Sequence, residues 1–356
     1  MRYEFLSVLS AAFGLLLAVS PAAKAQTILE DRSAAVILAY HRVGEDLYPD
    51  TNLRTEQFEA HLAELENGGY QVRSLPSVVQ ALQTGKALPP RTVVLTFDGA
   101  HQSAMDNAFP LLLAHNIPFT VFVATDQADG ALPGYMDWAS LRKLARNDLV
   151  TIGLHPASYT RLAGREESVL RQEINKARAR FREALGKEPA FFAYPFGEFG
   201  ARYRAVVAQQ GFTAAFGQQS GVAYAGHDLF SLPRFPVTES YGGAERFRLI
   251  ANALPLPVTD PQPADPLLAT ARPVIAFTLA ESLAGQVPAL SCFASGQARP
   301  AIAKEEAGRV TLALTAPFED GRGRVNCTLP VVVPEEGDNQ RRWRWMGVLF
   351  TVPDSE

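Results

Sequence analysis

The spacing of hydrophobic and polar positions divides this chain into regions of different predicted structure. From residue 34 to about 253, short apolar runs alternate with longer stretches in which apolar residues recur every three or four positions. Short apolar runs rich in β-branched and aromatic residues predict buried strands, whereas the three-to-four spacing predicts amphipathic helices. The predicted strands are AAVILAY, TVVLTF, FTVFVAT, LVTIGLH, AFFAYPF and TAAFG, and the predicted helices are RTEQFEAHLAELENGGY, SAMDNAFPLLLAHN, WASLRKLARND and EESVLRQEINKARARFREALG.

This alternation predicts an α/β domain over residues 26–253. Strands that are apolar along their whole length, with a helix between each pair, are typical of a parallel sheet covered by helices, either barrel-like or doubly wound. Residues 254–272 are rich in proline and lack periodicity, so we predict a linker there. In residues 273–356 apolar and polar positions alternate between turn signals, which predicts a small all-β domain.

The first 25 residues have the pattern of a secretory signal peptide. Arg2 gives a positive start, an apolar stretch runs from about Phe5 to Val19, and Ala23 and Ala25 suit a cleavage site. An uncleaved membrane anchor is the alternative, but the apolar run is shorter than the ~20 residues that a span needs. We therefore expect an exported protein, periplasmic or extracellular, that is not an integral membrane protein.

Cysteine usage agrees with export. Cys292 and Cys327 are the two cysteines of the chain, and both lie in strand-like segments of the predicted β domain. In an exported protein, two cysteines of one small domain most simply form a disulfide. Two distant cysteines with no histidine between them do not suit a metal site, so we predict one disulfide in residues 273–356.

Composition and charge narrow the range of partners. The chain has 356 residues, of which 47% are hydrophobic and 20% charged, values that are ordinary for a globular protein. Its formal net charge is −4 and it has no block of Lys and Arg, so neither nucleic acid nor an anionic membrane surface is an expected partner.

The stretch VVLTFDGAHQSAMDNAFP, residues 93–110, is the first candidate for chemistry. Its apolar run predicts a buried strand that ends at Asp98, and a helical pattern follows Gly99. In α/β folds, ligands bind at the carboxyl ends of the strands, and a carboxylate in that place either takes part in chemistry or caps the following helix.

Five segments, in this order along the chain, carry a resemblance to a known family. They are ILAYHRVGED, VVLTFDGAHQSAMDNAFPLLLAHNIPFTVFVATD, WASLRKLARNDLVTIGLHPASYTRL, FFAYPFGEFG and SLPRFPV. The set resembles the polysaccharide deacetylase (NodB-like) family, and most closely the branch that contains the poly-N-acetylglucosamine deacetylases. The resemblance covers roughly residues 34–240 and leaves the predicted β domain outside. It implies the barrel-like form of the α/β sheet.

The resemblance also implies a reaction, the hydrolysis of the acetamide C–N bond of an N-acetylated glycan with a divalent metal such as zinc. This chemistry needs a base, a stabiliser for the oxyanion and an acid for the leaving amine. By position, Asp98 matches the family's base, His41 its acid, and Arg234 the arginine that steadies the base. His155 matches the first of two metal-binding histidines.

Aromatic residues supply the expected sugar contacts. Tyr194, Pro195, Phe196 and Gly197 match the family loop that lines the sugar site and offers a backbone N–H to the oxyanion. Trp138, in YMDW, is a further candidate for a sugar contact. Aromatic rings beside polar groups suit the apolar faces of sugars, but each of these rings could equally be a core residue. The expected partner is an N-acetylated polysaccharide or oligosaccharide.

Two positions depart from the family pattern. Gly99 stands where the family has a metal-binding Asp, and Tyr159 stands where it has the second histidine, so His155 is the single matching ligand. We expect His101 to face solvent at a helix start, with an inward-turned substitute ligand as the alternative. We further expect that Gly99 could be replaced by Asp without backbone strain.

Two functions from different classes therefore remain open. In the first, the protein is an exported carbohydrate de-N-acetylase whose activity is impaired because Gly99 and Tyr159 replace two metal ligands. A divalent metal is the implied cofactor if the enzyme is active. In the second, it is a non-catalytic glycan-binding or scaffold protein of the cell envelope that needs no cofactor.

Overall fold

A computed structural model describes residues 29–297, 301–304, 308–319, 321–332 and 341–352. The signal peptide predicted for residues 1–25 lies outside the described residues. Within the described ranges, no helix combines the length and the apolar character that a membrane span requires.

A curled sheet of mainly parallel strands forms the centre of the first domain and confirms the predicted fold class. Its main path has the order β10-β1-β5-β6-β7-β8-β9, with β11 and β4 paired at the side of β1 and β5, respectively. All of these pairs are parallel except that of β1 with β10. The strands of this part of the chain are β1 (Ala34–Tyr40), β2 (Arg42–Val43), β3 (Asn52–Leu53), β4 (Gln71–Val72), β5 (Thr92–Asp98), β6 (Phe119–Val123), β7 (Val150–Leu154), β8 (Phe191–Ala193), β9 (Ala214–Phe216), β10 (Ala223–Tyr224) and β11 (Phe235–Pro236).

Helices cover this sheet through apolar faces. In the longest of them, Leu170, Ile174, Ala177 and Phe181 are buried, and their spacing of three or four residues places them on one face. The helix ends at Gly186, whose φ of 68° is a left-handed cap that glycine adopts without strain. The helices are α1 (Thr55–Asn67), α2 (Leu75–Thr84), α3 (Phe109–Ala114), α4 (Thr125–Asp129), α5 (Trp138–Leu144), α6 (Glu167–Leu185), α7 (Ala201–Ala208) and α8 (Ala244–Ala251).

The carboxyl-terminal part is built of strands, as its alternating pattern predicts. It contains one four-stranded sheet of order β12-β19-β18-β15 and another of order β13-β14-β17-β16. A disulfide joins Cys292 to Cys327, which lie opposite each other on β15 and β18, so the predicted disulfide is confirmed. The strands are β12 (Leu254–Pro255), β13 (Val258–Gln262), β14 (Val274–Leu279), β15 (Ser291–Ala294), β16 (Ala301–Lys304), β17 (Arg309–Ala313), β18 (Arg322–Val332) and β19 (Arg341–Thr351).

The segment predicted to be a linker, residues 254–272, is partly built into these sheets. Its two strands, β12 and β13, each lie at the edge of a sheet. An edge strand pairs on one side only, so it tolerates proline, which has no N–H to donate. For this reason the proline-rich composition concealed two strands.

Strand β19 packs the β sheets against the first domain. Trp345 belongs to the core of the first domain and meets Phe235 of β11 edge-on, with ring centroids 5.3 Å apart. Next to it, Arg344 donates two hydrogen bonds of 2.6 and 2.7 Å to Asp31 near the start of the first domain. The β sheets therefore lie directly beside the strand ends at which the candidate site is built.

Candidate active site

The ends of neighbouring strands bring four of the predicted site residues together. Asp98 is the last residue of β5, His41 follows β1, and His155 follows β7. Arg234 directly precedes β11, which pairs with β1. All four side chains are buried. Residues that lie up to 193 positions apart in the chain thus meet at one edge of the sheet.

A buried ion pair between Asp98 and Arg234 forms the floor of the site. Arg234 donates from Nη1 to Oδ1 and from Nη2 to Oδ2 of Asp98, both at 2.7 Å. The same guanidinium donates to the carbonyl of Gly217 and the hydroxyl of Thr96. Burial opposes ionisation of Asp98, but the charge of Arg234 outweighs it and holds the pKa of this carboxyl well below its usual range. Asp98 is therefore ionised, and a carboxylate with so low a pKa is a weak proton acceptor.

His155 presents one ring nitrogen to the site. Its Nδ1 lies 2.7 Å from the carbonyl oxygen of Ala193, and because a carbonyl only accepts, this nitrogen carries the proton. Nε2 has no hydrogen-bond partner among the described residues and lies 3.9 Å from Oδ1 of Asp98. Burial lowers the pKa of His155 to about 4, against the opposing charge of Asp98. The ring is therefore neutral at pH 7 with an open lone pair, the state in which histidine ligates a metal.

Gln218, which sequence reasoning missed, links His41 to Asp98. Its Nε2 donates to Oδ2 of Asp98 at 3.0 Å and lies 3.4 Å from Nε2 of His41. His41 Nε2 itself is 4.0 Å from Oδ2 of Asp98. Burial lowers the pKa of His41, an effect that Asp98 opposes and Arg234 reinforces. His41 is therefore neutral at pH 7, whereas the acid role implied by the resemblance needs a protonated ring.

His101 lies inside the site, so the expected solvent-facing position is wrong. The side chain is 6% exposed, and a β-bridge to Tyr135 holds this segment against the site. Burial, followed by the charge of Arg42, lowers the pKa of His101 to about 2. A pattern of residues at a helix start cannot reveal this bridge, because Tyr135 is distant in the chain.

The imidazole of His101 occupies the space beside Gly99. The backbone of Gly99 has φ +86°, and a Cβ added there would lie 2.7 Å from Nε2 of His101. A side chain at this position is strained by the backbone and also needs the imidazole to move. The expectation that Asp could replace Gly99 without strain is therefore wrong.

The side chains present do not fit the divalent metal that the resemblance implies. Gly99 has no side-chain donor, and both oxygens of Asp98 are bonded to Arg234. Burial, followed by the charge of Asp98, raises the pKa of the Tyr159 hydroxyl above its usual range, so no phenolate forms near pH 7. Among the described residues, no three His, Cys, Asp or Glu side chains form a group that could hold a metal ion. One donor of the expected three, His155 Nε2, is present.

Backbone hydrogen bonds use two of the three N–H groups of the expected oxyanion loop. The N–H of Tyr194 donates to the carbonyl of Phe216 at 3.0 Å, and that of Gly197 donates to the carbonyl of Tyr194 at 2.9 Å. These two groups are therefore not available to an oxyanion. Pro195 has no N–H. Phe196 lines the cavity with its ring, 5.2 Å from that of Tyr159, as expected for a sugar contact.

Two aromatic residues proposed to bind sugar have structural positions instead. Tyr194 is fully buried and its hydroxyl donates to the carbonyl of Phe230, away from the cavity. Trp138 donates a hydrogen bond from Nε1 to Asp129. The guanidinium carbon of Arg180 lies 5.0 Å from the centroid of the Trp138 ring. Neither lines the cavity. The core alternative that the sequence left open therefore describes both rings.

A cavity of about 600 Å³ lies above this floor, and both domains line it. Phe196, Tyr159 and Tyr241 give it aromatic walls, and His41, His101 and Gln218 reach it from the strand ends. Arg322 and Arg324 of β18 complete the wall on the side of the β sheets. Their alternate spacing in GRGRVNC indicates that they share one face of a strand, but only packing of the sheets reveals what that face meets.

Part of the first domain matches a described family. Residues 85–215 match the model of the family described as polysaccharide deacetylase. A poly-beta-1,6-N-acetyl-D-glucosamine N-deacetylase of Escherichia coli is 26% identical over 241 residues, which cover 56% of this chain and 36% of that protein. One of Staphylococcus epidermidis is 21% identical over 238 residues, covering 58% of this chain and 80% of that protein. The match thus spans just over a third of the Escherichia coli relative.

Solved structures share the fold of the first domain. IcaB from Ammonifex degensii superposes with a TM-score of 0.57 and 24% identity, covering 62% of this chain and 97% of that one. The Streptococcus pyogenes deacetylase PplD gives a TM-score of 0.55 and 20% identity, covering 60% and 96%. At these identities the likeness establishes the fold of the domain.

Proposed function

We propose that the first domain of this chain, whose residues 85–215 match the polysaccharide deacetylase model, binds N-acetylated polysaccharide in the cavity above Asp98. In this proposal the metal-assisted hydrolysis of the acetamide is strongly impaired. One observation carries it. Asp98, Arg234, His41 and His155 lie together, but the described residues around them supply too few ligating side chains to hold a metal ion.

The shape and lining of the cavity support the binding of sugar. Its volume of about 600 Å³ is in the range of small-molecule sites and admits one or two sugar rings. The rings of Phe196, Tyr159 and Tyr241 suit the apolar faces of pyranoses. Nδ1 of His41, a residue of the cavity lining, has no hydrogen-bond partner among the described residues and can meet a polar group of a bound acetamide.

The protonation states of the floor support impaired hydrolysis. His41 is neutral, which makes it a poor acid for the leaving amine. The two N–H groups of the loop at Tyr194 and Gly197 are bonded within the protein. The acid role and two of the loop's N–H groups are therefore weakened by separate contacts.

A specific observation favours hydrolysis as a second candidate. His101 and His155 both have a buried ring nitrogen without a hydrogen-bond partner among the described residues. A rotation of His101 away from Gly99 would be needed to bring both rings to one ion. In that case the chain is a carbohydrate de-N-acetylase with a rebuilt metal site.

Metal content, acetate release and sugar binding, measured on one preparation, test the proposal. We expect well under one equivalent of zinc after dialysis, no change with His155→Ala, and no acetate released from N-acetylglucosamine tetramer with or without added zinc. We also expect calorimetry to detect binding of this tetramer. Phe196→Ala should weaken it about tenfold, since an aromatic sugar contact is lost. Phe293→Ala, at an exposed ring on β15 outside the cavity, is the matched control.

Two results would decide against this reading. Stoichiometric zinc that depends on both His155 and His101, together with acetate release, would establish the second candidate. Absence of sugar binding, with Phe196→Ala indistinguishable from Phe293→Ala, would remove the cavity from any role with N-acetylated glycans.

Export to the periplasm or the extracellular space is part of the proposal. The signal-peptide pattern of residues 1–25 and the disulfide between Cys292 and Cys327 support it, because disulfides persist in oxidising compartments. Fractionation of the producing cells, with the disulfide state assayed in each fraction, tests this location.

A further inference from the structure

The cavity above Asp98 is strongly cationic. Its wall contains Arg42 and Arg246 from the first domain and Arg322 and Arg324 from β18, whereas Asp50 is the one acidic residue among the described lining residues. Asp98 beneath it is neutralised by Arg234. A neutral N-acetylglucosamine polymer gives no reason for this excess of positive charge.

Two of these arginines already have carboxylate partners in the protein. Arg42 lies 3.1 Å from a carboxylate oxygen of Glu45, and Arg322 lies 3.0 Å from one of Glu198. The charge of Arg42 is therefore balanced locally, whereas Arg322 shares the single carboxylate of Glu198 with Arg161, which lies 2.7 Å from it.

The other two have no such partner. Arg324 donates from Nη1 to the carbonyl of Gln218 at 2.9 Å, and no carboxylate of the described residues lies within ion-pair distance. Burial, followed by the charge of Arg322, lowers the pKa of Arg324 to about 10. Arg246 stacks over Tyr241 and Trp345 at 5.3 and 5.5 Å from the ring centroids, and its Nε has no hydrogen-bond partner among the described residues.

Gln218 connects Arg324 to the floor of the site through hydrogen bonds. Its carbonyl accepts from Arg324 while its side-chain amide donates to Asp98, so one residue separates the unpaired guanidinium from the floor of the site. A group held at Arg324 therefore belongs to the same sugar that lies over Asp98, or to its neighbour. Arg246 and Tyr241, over which it stacks, lie on the wall of the same cavity.

We propose that the glycan bound here is acidic: its N-acetylated sugars, or their neighbours, carry an anionic substituent that Arg324 and Arg246 hold. The shared chemistry is an anion with two or more oxygens, either a carboxylate or a phosphate, both of which match the guanidinium fork. A half-buried cation without a carboxylate partner costs free energy, and an anionic ligand lowers that cost. This inference rests on the proposed binding of N-acetylated glycan and specifies its chemical class.

Calorimetry on the full chain with two tetrasaccharides of equal length tests the inference. One is the neutral N-acetylglucosamine tetramer, and the other alternates glucuronate with N-acetylglucosamine. We expect the acidic one to bind at least about tenfold more tightly at low ionic strength. Raising salt from about 0.05 M to about 0.5 M should weaken only the acidic ligand, because salt screens charge pairs.

Variants assign the effect to residues. Arg324→Gln and Arg246→Gln should each weaken binding of the acidic tetrasaccharide about tenfold more than binding of the neutral one, and each should reduce its salt dependence. Arg248→Gln is the matched control, since Arg248 lies on the same helix as Arg246 but pairs with Glu64 at an exposed position. The salt dependence of the unaltered chain provides a readout that does not depend on folding of the variants.

N-acetylglucosamine, N-acetylmuramic acid and N-acetylglucosamine 6-phosphate then distinguish the two anions, because they share one ring and one acetamide. Preference for either acidic sugar over the neutral one supports the inference and identifies its anion. Equal affinities for the two tetrasaccharides, unchanged by salt and by both variants, would overturn it while leaving the proposed function intact. Binding of neither tetrasaccharide would overturn both.

Discussion

The Asp98–Arg234 pair dominates the chemistry of the site at the scale of single residues. Both side chains are fully buried, and two hydrogen bonds of 2.7 Å join them. A buried charge is tolerated because its partner is present, and removing one partner leaves the other charge without compensation. This pair fixes Asp98 in its ionised form and so decides how weak a base it is.

Arg234→Gln should therefore lower the free energy of unfolding by about 3–5 kcal/mol, measured by chemical denaturation. Adding Asp98→Asn should recover part of the loss, because the unpaired charge is then removed. Arg248→Gln, which breaks an exposed pair with Glu64, should cost no more than about 1 kcal/mol. Equal costs for Arg234→Gln and Arg248→Gln would contradict the assignment of a buried pair.

At the scale of elements, His61 joins α1 to α8. Its ring stacks on Phe247 of α8 with centroids 4.0 Å apart. Nε2 donates to the carbonyl of Gly242, and Nδ1 accepts from the hydroxyl of Tyr40. Burial lowers the pKa of His61 to about 4, although the bond to Gly242 opposes this. The helix pair is thus stable with a neutral ring.

This contact should make stability depend on pH. In the unfolded chain His61 gains a proton near its ordinary pKa of 6.5, whereas in the folded chain it does so only near 4. The unfolded state therefore binds more protons between these values, and stability falls as pH falls from 6.5 to 4.

His61→Phe should reduce the slope of the unfolding free energy against pH by up to about 1.4 kcal/mol per pH unit, the value for one proton. At pH 7 it should cost about 1–3 kcal/mol through the two lost hydrogen bonds. Denaturation of both proteins at several pH values checks this. His115→Phe, at an exposed ring, should have a smaller effect on both quantities. An unchanged pH slope in His61→Phe would contradict the prediction.

At the scale of the whole molecule, β19 belongs to both domains. It forms 11 residue pairs with β18, which carries Cys327, while Trp345 packs into the core of the first domain. The Arg344–Asp31 pair adds a nearly buried contact across the same boundary. The domains share a strand and its packing, so they cannot be treated as separate units.

Reduction of the Cys292–Cys327 disulfide should therefore destabilise both domains together. We expect calorimetry to show one unfolding transition before and after reduction, at a lower temperature after it, because the constraint on the unfolded chain is lost. Trp345→Ala should separate the single unfolding transition into two, because it removes the large side chain of β19 that packs into the core of the first domain. Phe293→Ala, an exposed ring on β15, should leave one transition. Two transitions in the unaltered oxidised chain would contradict the coupling.

Local sequence patterns are sufficient to predict the layers of this fold and the residues at the strand ends. Apolar strands such as residues 92–98 and the helix of residues 167–185 follow from local periodicity, and motif order then places Asp98, His155 and Arg234. These features are local, or depend on parallel strands ending at one edge of a sheet, so a pattern can reveal them.

Tertiary structure decided the chemistry of the site. The β-bridge to Tyr135 turns His101 over Gly99, Gln218 connects His41 with Asp98, and Arg324 reaches the cavity from the second domain. Each of these contacts joins residues far apart in the chain, and each pKa depends on burial that only packing produces. Sequence spacing carries no record of such distances, so it could indicate where the site lies but not the state in which its groups are held.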